Sequence, residues 1–352
     1  MFRVNESVAE LGFDSASRRR SISLAHGGGG QLTDELLHQV VFPKLANNVL
    51  SDLLDSAVIP NGKTSLGMTI DSYVVQPLKF PGGDIGKLAV SGTINDLAVS
   101  GAKPLGVALS LILAEGLDLA VLDEVMDSIA DTARQANVNV ITGDTKVVGR
   151  GQADGMYITT AGIGIVSQPG RLHPKNVRPG DVLIINGPIA DHGLAVMLAR
   201  EMPQVQSVLR SDVAPLNGLI ESVLESVPGI VFMRDPTRAG IAGVCCDLAA
   251  RSGWQISLVE DQIPIRPETR HAAEMLGLDP LEVANEGKVI LAVRLDEFED
   301  ALAALRRHPL GRDARVIGRV EEVRGGLCEL YTRMGGRRIV QKPYGEQLPR
   351  IC

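Results

Sequence analysis

The chain has 352 residues, 45% of them apolar and 22% charged, with a net charge of −7. That balance excludes wholesale disorder, which needs low hydrophobicity and high net charge, and a mildly acidic chain is a poor general nucleic-acid binder. Aromatic residues are only 3%, which disfavours base stacking as an activity. No window approaches the ~20 apolar residues of a membrane span. The run Arg18, Arg19 and Arg20 lacks the sustained apolar segment of a signal peptide, so residues 1–20 read as a mobile extension and the protein as cytoplasmic. The four cysteines, Cys245, Cys246, Cys328 and Cys352, form no CxxC pair and no zinc spacing. The first three read as small core residues.

The length suits two domains. A strand at 21–24 leads into Gly27, Gly28, Gly29 and Gly30. An amphipathic helix follows, carrying Leu32, Leu36, Leu37, Val40, Val41 and Leu45, which Pro43 kinks or ends. Residues 66–70 alternate as a strand ending at Asp71, and 73–75 are extended. Asp84 caps a helix running to Ser100. A strand at 105–113, a helix at 118–135, a buried strand at 138–142 ending at Gly143 and Asp144, and a strand at 157–166 complete the first half. The proline-rich stretch 168–180 marks the domain boundary. The second half has strands at 181–186, 229–233, 255–259 and 288–293, helices at 193–201, 216–227, 239–252, 269–276 and 296–307, and three short strands. Strict βαβ alternation is absent. The prediction is therefore an α+β fold of two mixed-layer domains, 21–167 and 168–342, with residues 343–352 as an extended, mobile tail.

Three carboxylates stand where burial is costly unless they are paired or metal-bound: Asp71 and Asp144 at strand ends, and Asp96 beside Asn95 on an apolar helix. Together they suggest a hard-cation site, most simply Mg²⁺ with phosphate oxygens. The loop of Gly82 and Gly83 leading to Lys87 superficially resembles a phosphate loop, but its glycine spacing is one short and Leu88 replaces the hydroxyl residue. Amides at the helix start plus Lys87 remain suited to phosphates. Asp235, Thr237 and Arg238 join a strand to a helix and offer groups suited to anions. His26 beside the four glycines is equally a ligand contact or a structural histidine. Lys146 is a candidate acid/base group or phosphate partner, and Glu286 sits where a positioned carboxylate is common. Cys352 is a thiol on a flexible arm whose ten residues from Pro343 reach at most ~33 Å.

These stretches resemble the hydrogenase maturation family HypE, within the superfamily of aminoimidazole ribonucleotide synthetase and selenophosphate synthetase. The resemblance rests on His26 to Gln31, Asp71 to Val74, Phe80 to Ala89, Gly143 to Val148, Asp191 to Gly193, Arg234 to Arg238, Asn285 to Lys288, His308 to Gly311 and the terminal Pro349-Arg350-Ile351-Cys352. The terminal motif selects HypE within the superfamily. Selenophosphate synthetases carry a reactive Cys or selenocysteine near the first glycine-rich loop, and no cysteine precedes Cys245 here. Ala239 departs from the family, which usually has a second glycine there.

The resemblance implies an ATP-dependent dehydration. HypF places a carbamoyl group on the Cys352 thiol. ATP phosphorylates its oxygen, and loss of phosphate leaves a thiocyanate, whose cyanide passes to iron on the HypC–HypD complex. It further implies a homodimer with the nucleotide near the interface, and no nucleic acid or membrane partner. Asp71, Asp96 and Asp144 then take the metal. Gly82, Gly83, Lys87, Asn95, Asp235, Thr237, Arg238 and His26 serve the nucleotide, and Glu286 and Lys146 are candidates for the base. Another ATP-using synthetase of the superfamily, or a non-catalytic scaffold, are the rival readings.

Overall fold

The computed structural model describes residues 21–345 and 350–352. The expected extension at 1–20 lies outside the described residues, as do 346–349 of the arm.

The glycine-rich entry is not a strand. Leu24–Gly27 forms a single 3-10 turn, because the Ser23 amide donates to His26 Nδ1 at 3.1 Å and closes a capping box. Helix α1 (Gln31–Leu36), a wider π turn at Leu37–Val41 and helix α2 (Phe42–Leu45) follow. Pro43 sits in the first turn of α2, where its missing amide costs least.

The first domain contains β1 (Ala57–Asn61), β2 (Thr64–Tyr73), the short pair β3 (Lys79–Phe80) and β4 (Gly83–Asp84), α3 (Ile85–Val99), β5 (Ala102–Ala114), α4 (Leu119–Gln135), β6 (Val140–Val148) and β7 (Met156–Val166). Its five-stranded sheet runs β1-β2-β7-β5-β6, antiparallel except for the β5–β6 pair that α4 connects. Helix α3 starts as expected: the Asp84 carboxylate accepts from the amides of Gly86 and Lys87. It is buried on almost every side, against one face of the sheet, α4 and the second domain. The other sheet face is open and leaves Met68, Ile70 and Ile112 exposed. The expectation of a buried strand at 138–142 fails. Strand β6 begins at Val140, runs through Asp144 and Lys146, and is exposed along nearly its whole length as a sheet edge.

The second domain comprises β8 (Val182–Ile185), α5 (Asp191–Glu201), α6 (Asn217–Ser226), β9 (Ile230–Arg234), α7 (Gly240–Ser252), β10 (Trp254–Val259), α8 (Pro267–Leu276), β11 (Ile290–Val293), α9 (Phe298–Arg307), β12 (Arg315–Arg324), β13 (Cys328–Tyr331) and β14 (Arg337–Val340). Its seven-stranded mixed sheet is ordered β14-β13-β10-β12-β8-β11-β9. Cys245 and Cys328 are buried as expected, and Cys246 is partly buried with its thiol 3.3 Å from the Val340 carbonyl oxygen. Ala239, where glycine is usual, adopts φ +62°, a left-handed conformation that disfavours any Cβ.

Asn95 ties the two domains together. Its Nδ2 donates to the carbonyls of Ala214 (3.1 Å) and Glu286 (3.2 Å), and its Oδ1 accepts from the Leu216 amide at 2.7 Å. Both amide hydrogens and the oxygen are thereby engaged at a fully buried position, so the expected nucleotide role of Asn95 gives way to a structural one. Replacing Asn95 by Ala leaves the buried Ala214 carbonyl and Leu216 amide without partners and the Glu286 carbonyl with only the Ala214 amide at 3.5 Å. A loss of about 2–4 kcal/mol is expected, read from denaturant unfolding with a separate transition for each domain as the signature of uncoupling.

Candidate active site

The junction between the domains gathers acidic side chains from both. Asp71, on β2, and Asp96, on α3, approach each other closely enough that Asp71 raises the proton affinity of Asp96. Thr69 also donates to Asp96 Oδ2 at 2.8 Å. Asp55 approaches from the preceding loop, and Asp235 and Glu286 from the second domain. Burial first, then the charges of Asp71, Asp235 and Asp55, pushes the Asp96 carboxyl well above the ordinary range. Burial followed by Asp55 raises Asp235 to about 8. Glu286, only 3% exposed, is driven well up by burial and then by Asp235, Asp212 and Asp71. The cluster is held together by Arg234, whose guanidinium reaches Asp55 at 3.1 Å and Asp247 at 3.0 Å. Lys342, at the root of the arm, in turn pairs with Asp247 and with Asp34 of α1.

Of the three carboxylates expected to bind metal, the structure brings together two. Cross-strand register separates the third. Asp144 pairs with Ser110, Ser110 with Thr159, and Thr159 with Ser72, so all four project to the open face of the sheet. Asp71 is the next residue along β2 and projects to the opposite face, beside Thr160 and α3. Within one chain Asp144 instead pairs with Lys146 at 2.7 Å, and that ammonium holds its carboxyl below the usual value. Asp71 and Asp96 fit a magnesium ion, which takes one or two carboxylates together with phosphate oxygens and water. The buried Oδ2 of Asp235 has no hydrogen-bond partner and leaves a free acceptor at the same junction. Among the described residues no three or more His, Cys, Asp or Glu form a metal cage by themselves.

The remaining expected contacts fare unevenly. The N-terminal amides of α3 are not open to an anion, since Asp84 occupies those of Gly86 and Lys87. Gly82 and Gly83 pack against Ser211 and Val213, where any Cβ would clash. Lys87 lies over this loop with its Nζ 3.2 Å from the Gly82 carbonyl, and burial lowers its pKa. His26 Nδ1 is engaged in the local cap. Arg238 donates to the Gly27 carbonyl at 3.1 Å and so fixes the glycine-rich turn against the Asp235 to Thr237 loop.

The end of the arm is seated at this junction. Ile351 is buried, and Cys352 packs against the same apolar core. The Val74 amide donates to the Cys352 backbone oxygen at 3.0 Å and the Gln76 amide to the Arg350 carbonyl at 3.2 Å. Arg200 bridges the carbonyls of Gln76 and Arg350. Cys352 thus rests on a backbone only three residues beyond Asp71. The intervening Tyr73 has a phenol that burial, Asp71, Glu286 and Asp96 all raise. Sequence reasoning gave no role to Asp55, Asp212, His192, Arg200 or Ser211. Asp191-His192-Gly193 offered a motif but no chemistry, and the others lie in loops or on helices without a pattern.

Two family models match the chain: the AIR synthase related protein N-terminal domain over residues 54–166 and its C-terminal domain over residues 178–327. The carbamoyl dehydratase HypE of Cupriavidus necator is 44% identical over 349 residues, covering 98% of this chain and 99% of that protein. The chain belongs to the HypE family. HypE solved in complex with HypF superposes with a TM-score of 0.83 at 41% identity, over 88% of this chain and 99% of that one. HypE solved in complex with ATP gives 0.79 at 39% identity, over 94% of this chain and 100% of that one. The HypE match therefore spans both domains and the junction between them. Among the described residues no helix is long and apolar enough to cross a membrane.

Asp235 supplies a test of the cluster. Its carboxyl titrates near 8 in the folded chain, against an ordinary value of 3.8 when unfolded. The folded state then holds a proton that the unfolded state has lost, so its contribution to stability is complete below 3.8 and disappears as pH rises through about 8. In nucleotide-free, magnesium-free protein, melting temperature should fall across that window, and Asp235→Asn should flatten the decline. An identical slope in the variant would remove Asp235 from the cluster.

Proposed function

We propose that this chain is an ATP-dependent carbamoyl dehydratase that converts a carbamoyl group on the Cys352 thiol into a thiocyanate. The observation that carries the reading is the C-terminal cysteine seated beside the acidic junction, in a chain that matches HypE over nearly its whole length.

An amide oxygen is a poor leaving group and must first be activated. The carbamoyl oxygen attacks the γ-phosphorus of ATP, ADP leaves, and one nitrogen proton is lost. The resulting O-phosphoryl group then departs as phosphate while the second nitrogen proton is removed, leaving R–S–C≡N. A magnesium ion held by Asp71 and Asp96 would supply charge neutralisation at the phosphate oxygens. Lys87 and Arg238 would meet the anionic oxygens of the nucleotide. Glu286 is the base we favour, because a buried carboxyl with raised proton affinity is a strong acceptor once ionised. The backbone pairing of residues 350–352 with 74–76 holds the thiol, so the reaction is intramolecular once the carbamoyl group is loaded. HypF as carbamoyl donor and HypC–HypD as acceptor complex for the cyanide complete the scheme.

The homodimer belongs to the same proposal. Met68, Ile70 and Ile112 leave an apolar sheet face exposed, bordered by the open edge strand β6. A second copy laid on this face would bring Asp144 and Lys146 to the partner's junction, which they cannot reach in their own chain. Lys146 would then act across the interface, as base or phosphate partner.

Two measurements check this. Intact mass of wild type should rise by one HNCO on incubation with carbamoyl donor and HypF, then drop by one water with ATP, both changes mapping to Cys352. Cys352→Ala should lose carbamoyl-dependent ADP release, and release persisting at the wild-type rate would end the assignment. Inactive Lys146→Ala and Glu286→Gln chains, unfolded and refolded together, should recover about a quarter of wild-type activity if each site draws on both copies. No recovery would confine the site to one chain.

A further inference from the structure

The arm end offers three successive backbone oxygens, those of Arg350, Ile351 and Cys352, and each accepts a hydrogen bond from the body of the protein. The middle one is bound by a fully buried side chain: His192 Nε2 lies 3.1 Å from the Ile351 oxygen. Burial lowers the pKa of this imidazole, which is therefore neutral and carries one N–H. A carbonyl can only accept, so the hydrogen is on Nε2. Nδ1 then accepts from the Ser211 hydroxyl at 2.8 Å. Ser211 is itself fixed: its amide donates to the Pro81 carbonyl at 2.7 Å, and its Oγ accepts from the Val213 amide at 3.1 Å. Phe80 packs edge-on to the imidazole, 5.4 Å between ring centroids. Ser211 and Phe80 thus set the ring orientation, and the Ile351 carbonyl selects the tautomer with the hydrogen on Nε2.

We propose that His192, oriented by Ser211, is a positioning residue: it latches the arm through the Ile351 carbonyl and so sets where the Cys352 thiol rests. The latch is specific for backbone, since it reads a carbonyl rather than a side chain, while the buried Ile351 side chain supplies the apolar contact. It also ties the arm to the loop between Phe80 and Gly83, because Ser211 contacts both His192 and the Pro81 carbonyl. The proposal adds to the reading of Cys352 as carrier, and its test does not use that reaction.

The test is the alkylation rate of Cys352 by iodoacetamide in the full-length protein without nucleotide, with partly buried Cys246 as internal control. Glutamine at 192 can place an N–H where Nε2 stands, whereas asparagine reaches only the position of Nδ1. His192→Asn should speed Cys352 alkylation about tenfold, the worth of one buried hydrogen bond, while His192→Gln stays near wild type. Equal rates for the two variants, or wild-type rates for both, overturn the latch. Should the Asn variant also speed Cys246, Ser211→Ala decides. Faster Cys352 with unchanged Cys246 supports the proposal, and an unchanged Cys352 refutes it. Because only the resting thiol is read, the latch can fail while Cys352→Ala still abolishes dehydration, and the reverse.

Discussion

Repulsion among buried carboxyl groups is the constraint around which the two domains are arranged. Asp55, Asp71 and Asp96 come from one domain, Asp235 and Glu286 from the other, and no single element could hold them all. Their proximity raises the proton affinity of the buried members and favours any cation that enters. Two features oppose the repulsion. Arg234 links Asp55 to Asp247, and Asn95 ties α3 to the backbone at Ala214, Leu216 and Glu286. The junction is thus a destabilised place inside a stable frame, the usual condition of sites that handle highly charged ligands.

Given such a frame, the thiol needs only a backbone path. Residues 74–76 continue β2 past the cluster and pair with the arm, so the strand that carries Asp71 also carries the seat of Cys352. Asp71 and Cys352, to which the proposed function gives the metal and carrier roles, are positioned by one segment. Small shifts of β2 would move both together and preserve their separation.

Most of the element pattern was legible in the sequence, because helix caps and apolar periodicity are local. Asp84 capping α3 and the 119–135 helix stand as read. What failed depended on neighbours. Asp144 and Asp71 look alike as acids near strand ends, yet the register of four strands sends them to opposite sheet faces. Apolar residues in β6 suggested burial, but no helix layer covers that edge. Asn95 looked like a ligand contact, and only the second domain's loop shows that its amide is fully engaged. His192 carried no signal, since its partner lies 159 residues away.

The root of the arm has a further meaning. The amides of Gln31 and Leu32 bind the carbonyls of Pro343 and Tyr344, and Lys342 is ion-paired with Asp34 and Asp247. The tether therefore begins not at Pro343 but after Tyr344, and the eight residues from Gly345 to Cys352 span at most about 26 Å. On the proposed function, every centre that loads or unloads the thiol must come within that radius of one fixed point on the glycine-rich face. The arm's length thus limits which surface of the protein a donor enzyme can occupy, before any contact between the two is considered.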